Sequence, residues 1–186
     1  MLASRTLAAA SLAFLVFAAS GPAMAEERAC RGKLGKITVD NLRVPQNATC
    51  ELDGTKVKGT ITVQNGATLI ASRVVVIGNV QGENARLVSV VRKSRVGGSV
   101  QVKQGKRAKV INSEIDGSIQ LESNSGALRV SGNTVGADVQ AFQNKGGVEI
   151  EDNDIDGNLQ CKENKPAPVG GGNRVQGNKE DQCRRL

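Results

Sequence analysis

An apolar position returns about every twenty residues along most of this chain, and few architectures accommodate that spacing. One column runs Ile70, Val90, Val110, Val130 and Ile150. A second runs Val80, Val100, Ile119, Val139 and Leu159, and a third Val76, Val96, Ile115, Val135 and Ile155. One repeat cannot bury its apolar face alone, so successive copies must stack around a shared core. The compact unit is apolar-x-Gly-x-apolar-Gln, as in Val76-Ile77-Gly78-Asn79-Val80-Gln81 and Ile115-Asp116-Gly117-Ser118-Ile119-Gln120. Further copies begin at Val96, Val135 and Ile155, a weaker one spans Val57 to Thr62, and Val175-Gln176-Gly177-Asn178 is a broken last one.

Stretches such as Ile119-Gln120-Leu121 and Val148-Glu149-Ile150 alternate apolar and polar residues, the period of a strand with one buried face. Gly59, Gly78, Gly98, Gly117 and Gly157 mark a bend where a side chain would crowd the backbone, although Ala137 occupies the same column. The expected fold is all-β: a right-handed parallel β-helix with about 20 residues per coil and six or seven coils, each advancing roughly 4.8 Å. A leucine-rich horseshoe is disfavoured because convincing helical stretches are absent. The left-handed hexapeptide form predicts a coil nearer eighteen residues. Composition agrees: there is no Trp, Tyr or His, and of three Phe only Phe142 lies beyond the N-terminal apolar segment. A narrow core of Val, Ile and Leu needs no bulkier filler.

Residues 1–25 read as a signal peptide, with Arg5, an apolar run from Leu7 to Ala19, and Ala23-Met24-Ala25 before the cleavage point. Residues 26–186 then form a single β-helix domain, with 162–186 as its C-terminal cap and no transmembrane segment after cleavage. Cys30 and Cys50 lie 20 residues apart, and Cys161 and Cys183 lie 22 apart. One turn of the coil brings each pair together, which favours Cys30–Cys50 and Cys161–Cys183 among three complete pairings. Export makes such bonds plausible. Two terminal pairs do not make one tetrahedral metal site, so no metal is expected. A solenoid has unpaired strand edges at its ends, and Cys30–Val44 and Asn164–Cys183 are expected to cover them.

Asn124, Asn144 and Asn164 form one polar column and Asn133, Asn153 and Asn173 another, as expected of amides bonding along a stack of turns. Gln81, Gln101, Gln120, Gln140 and Gln160 predict an outward ladder. The net charge is +7, or +6 without Arg5, and it is unevenly spread. Arg86 through Lys109 holds eight basic and no acidic residues, whereas Val110 through Asp156 holds nine acidic ones against Arg129 and Lys145. The candidate site for an anionic polymer is the basic set Arg92, Lys93, Arg95, Lys103, Lys106, Arg107 and Lys109. Nucleic acid is not expected, because no series of aromatic residues is present for base stacking.

Catalytic chemistry has no evident centre. Without His, a Ser-His-Asp or Cys-His arrangement is excluded, and no nucleotide-binding fingerprint occurs. No cofactor or catalytic residue is assigned. The strongest enzymatic candidate is the acidic group Glu149, Glu151, Asp152, Asp154 and Asp156, which would serve a polysaccharide lyase or hydrolase beside Arg129 or Lys145.

The repeated Val/Ile-x-Gly-x-Val/Ile/Leu-Gln resembles small secreted right-handed β-helix proteins of uncharacterised function. The tail, with Cys161-Lys162-Glu163-Asn164, Pro166-Ala167-Pro168, Gly171-Gly172-Asn173-Arg174-Val175 and Gly177 through Cys183, is similar to a terminal pattern of actinobacterial members. The resemblance implies secretion and the fold, and it brings no catalytic residues. A looser similarity to bacterial polymer-forming β-helical scaffolds implies assembly, although the cysteines and the longer repeat depart from their shorter coils. The leading expectation is therefore a secreted, non-enzymatic structural or surface-binding protein, with a carbohydrate-cleaving enzyme and a self-assembling scaffold as alternatives.

Overall fold

The computed structural model describes residues 26–186, so residues 1–25, the segment expected to be a signal peptide, lie outside the described residues. The chain winds as a right-handed parallel β-solenoid whose coils each contribute one strand to three sheets. Sheet A has nine strands, and sheets B and C have eight each. In one representative coil, Val80–Glu83 lies in sheet A, Leu87–Val91 in sheet B and Arg95–Val96 in sheet C. Every strand pairs in parallel with the equivalent strand of the next coil. Val80, for example, faces Ile61 on one side and Val100 on the other. Nine strands in sheet A make eight steps, more than the six or seven coils expected, and a rod roughly 38 Å long. The additional coil is N-terminal and short: Glu27 registers with Asn41, only 14 residues later.

The core is a stack of small aliphatic layers. Val80, Val88, Val90 and Val96 from one coil are fully buried, and their partners Val100, Ala108, Val110 and Ile115 continue the same columns. The second and third columns expected from the repeat run unbroken along sheets A and C. The first needs a correction at its start. Ile70 registers with Ser89 on the outer surface of sheet B, and Ala71 is the residue that faces Val90 in the core. This coil is one residue short at that point, and because side chains alternate across a strand, a one-residue shift moves Ile70 to the other face.

The glycine bend lies at the corner between sheets C and A. There consecutive coils press together: a Cβ on Gly78 would lie 2.8 Å from the Gly59 carbonyl oxygen, and one on Gly117 would lie 2.6 Å from the Ser99 hydroxyl. The glycines are thus needed for close approach, as expected. The other two corners use left-handed residues instead, such as Asn84 and Gln104 between A and B, and Arg73 and Asn112 between B and C.

Both expected disulfides are present, Cys30–Cys50 and Cys161–Cys183, one towards each end of the rod. Residues 164–181 do more than cover an edge. They add a further coil, with Val169–Gly171, Arg174–Val175 and Lys179–Asp181 extending sheets B, C and A. The segment that folds across the C-terminal end is 182–186, where Cys183 and Leu186 are buried and the Leu186 amide donates to the Cys183 carbonyl. None of the described residues forms a helix long and apolar enough to cross a membrane.

Candidate anion-binding face

Polar side chains form hydrogen-bonded columns along the stack of coils. Asn124 donates from its backbone and side-chain amides to Asn144 Oδ1, both at 3.0 Å. Asn144 bonds Asn164 in the same way, and Gln182 completes the series. Asn133, Asn153 and Asn173 repeat the pattern at the corner between B and C. Each Asn side chain also reaches back to a strand carbonyl, for instance Asn133 Nδ2 to Val110 O at 2.7 Å. The expected asparagine ladders are therefore real and buried. The glutamine ladder is also present on the outer face of sheet A, each Nε2 donating to the next Oε1 from Gln81 to Gln160, and Glu180 accepting the last bond.

A third ladder escaped sequence reasoning. At the corner between C and A, the backbone amides of Thr60, Asn79, Ser99, Ser118, Asp138, Asn158 and Asn178 each donate to the side chain of the preceding coil, beginning at Asn41. The signal was in the sequence: a small polar residue follows the bend position in every coil. It was obscured because the residue type varies while the role does not.

On this scaffold the basic residues do not all share one surface. Lys106, Arg107 and Lys109 lie on adjoining positions of the A–B corner and sheet B, with Arg86 one coil before Lys106 and Arg129 one coil beyond Lys109. Arg92 and Lys93 lie at the opposite edge of sheet B, where two successive left-handed residues replace the single one of neighbouring coils. That extra residue raises a ledge beside an open depression of about 760 Å³, bordered by Arg92, Lys93, Arg95, Asn112, Glu114 and Thr134. Arg95 itself turns onto sheet C, where Glu114 Oε1 holds it at 2.9 Å and Asp116 at 3.7 Å. Lys103 points from sheet A and pairs with Glu122 at 3.1 Å. Sheet B thus gathers Lys106, Arg107 and Lys109, with Arg92 and Lys93 across the strand, while Arg95 and Lys103 are elsewhere and partnered.

Electrostatics sharpen this division. Among the described residues, no carboxylate lies within ion-pair distance of Arg86, Arg92, Lys93, Lys106, Arg107 or Lys109, whereas Arg129 meets both Glu151 at 2.5 Å and Glu149 at 3.5 Å. The hydrogen bond from Arg129 holds the Glu151 carboxyl below its ordinary range, and Ser131 reinforces the effect. The same bond, with the charges of Glu149 and Glu151, raises the Arg129 guanidinium.

The acidic group considered for catalysis does not converge. Glu149 and Glu151 project from sheet B, Asp152 occupies the corner, Asp154 lies on sheet C and Asp156 just beyond it, the last two bonded to Arg174 and Gln176. Among the described residues no three His, Cys, Asp or Glu side chains are grouped so as to hold a metal ion. No protein-family model matches the chain, and neither a curated protein nor a solved structure is detectably similar to it.

Proposed function

We propose that the protein is an exported, non-catalytic solenoid that binds anionic extracellular polymers or cell surfaces through sheet B. The observation that carries this reading is the set Arg86, Lys106, Arg107 and Lys109, which shares one region of the rod and, among the described residues, has no carboxylate in ion-pair contact. Cations left unpaired on a rigid sheet attract a polyanion without first breaking internal ion pairs. The Arg92–Lys93 ledge extends the positive surface to the far edge of the same sheet. Export is supported by the pattern of residues 1–25 and by two disulfides. End-to-end assembly has less support, because residues 182–186 fold over the C-terminal end of the core.

The experiment is a binding titration against wall teichoic acid, heparin and polygalacturonate over a range of salt. Affinity is expected to fall steeply as salt rises, because salt screens the attraction between the polyanion and the basic face and lessens the gain from counter-ion release. Replacing Arg86, Lys106, Arg107 and Lys109 together by Gln is expected to abolish binding, whereas Arg95→Gln leaves it nearly intact. Absence of binding at low salt, or an unaffected quadruple variant, overturns the proposal.

A further inference from the structure

At the corner between sheets A and B the later coils tie off their asparagines in a ladder, but the early coils leave a group of carboxamides facing solvent. Gln46, Gln64, Asn65, Gln81, Asn84 and Gln101 line one open depression of about 680 Å³ on the outer side of sheet A. The side chains of Gln46, Asn65 and Asn84 are exposed and make no hydrogen bond within the described residues. Gln64 Oε1 accepts only from the Gln46 backbone amide, at 3.1 Å, which leaves its own N–H groups free. Gln81 and Gln101 each use one N–H in the ladder and keep a second donor and acceptor capacity for another partner. Asn124 and Asn144 differ: at the same corner of later coils they are buried and fully bonded.

The charge of this depression is balanced. Glu83 and Lys103 are its charged lining residues, one of each sign, and Lys103 is already engaged by Glu122. Phosphate or polyuronate would find no uncompensated cation here. A carboxamide presents a donor and an acceptor side by side, which suits adjacent hydroxyls of a sugar ring, and the glutamine ladder holds two of these groups in place before any ligand arrives. The lining residues come from four successive coils and their corner, spaced roughly 4.8 Å apart, so the surface accommodates an extended chain of several rings.

We propose that this depression binds a neutral, hydroxyl-rich glycan chain, independently of the basic surface on sheet B. The test uses cellohexaose, mannohexaose and chitohexaose, titrated into the protein at low and high salt by calorimetry. Side-chain amide signals of Gln64, Asn65 and Asn84 are followed by NMR. At least one hexasaccharide is expected to bind saturably with the same affinity at both salt levels, and to shift those three signals. The Gln64→Ala/Asn84→Ala double variant is expected to weaken binding about tenfold, consistent with losing hydrogen bonds to a neutral ligand. It should leave anionic-polymer binding unchanged. Failure of all three sugars at millimolar concentration overturns the proposal. So does undiminished binding by the double variant, or a salt-sensitive interaction lost in the sheet B variant. The amide signals provide the same decision in the wild-type protein if the double variant folds poorly.

Discussion

Asn144 shows how much a single side chain can carry in a stacked coil. It is fully buried, accepts two hydrogen bonds from Asn124, and donates to Asn164 Oδ1 and Leu121 O, each at 2.9 Å. Alanine at this position would leave buried donors and an acceptor without partners, each a desolvated group rather than a mere lost contact. Asn144→Ala is therefore expected to lower unfolding free energy by about 3 kcal/mol, measured by urea denaturation. An exposed amide such as Asn84 should cost far less when replaced. The columns of Asn were legible in the sequence as twenty-residue repeats. The identity of their partners was not, because Gln182 joins the Asn124–Asn144–Asn164 series with a longer side chain and a shorter spacing.

Strand Leu128–Ser131 and its neighbour Val148–Glu151 illustrate what one pair of elements contributes on its outer face. Their register places Arg129 opposite Glu149 and Ser131 opposite Glu151, and Arg129 bridges to both carboxylates. Because the bound Glu151 carboxyl titrates below its unfolded value, its contribution is complete above the unfolded pKa, about 4.3. That contribution is lost as pH falls through the lower folded value. Glu151→Gln should thus be less stable than the parent at neutral pH, and the difference should shrink under acid, as measured by denaturation midpoints across pH. The pair is solvent-exposed, so the effect is expected to be small and reduced by salt. The charge bias between adjacent segments was visible in the sequence. Which cation met which anion depended on register, and on Arg95 turning around a corner onto sheet C.

The rod as a whole has no single central core: each coil contacts mainly the coils on either side. Such a molecule is held together by nearest-neighbour interfaces, and its end coils have only one neighbour. The disulfides close loops of 20 and 22 residues at those ends, each contributing about 3 kcal/mol by restraining the unfolded chain. Reduction is therefore expected to accelerate amide hydrogen exchange in residues 27–57 and 159–183 before it affects strands between Val80 and Glu151. Uniform acceleration along the rod would instead mean that all coils unfold as one unit. The two proposed binding surfaces lie on different sheets of this rod, so one ligand need not displace the other.

Repetition made the architecture readable from the chain alone: parallel coils, a slender aliphatic core, a glycine bend, two terminal disulfides and a glutamine ladder. Each follows from a spacing that only stacked turns can satisfy, because buried groups must find equivalent partners one coil away. Three-dimensional register settled the rest. A coil of nineteen residues rather than twenty sent Ile70 outward and Ala71 inward, and one extra left-handed residue created the Arg92–Lys93 ledge. The basic band of the sequence became a girdle whose members face different sheets, and only those on sheet B stayed together without carboxylate partners among the described residues. Linear spacing records which residues recur, but the corners set the directions in which they point, and those directions determine which charges and amides share a surface.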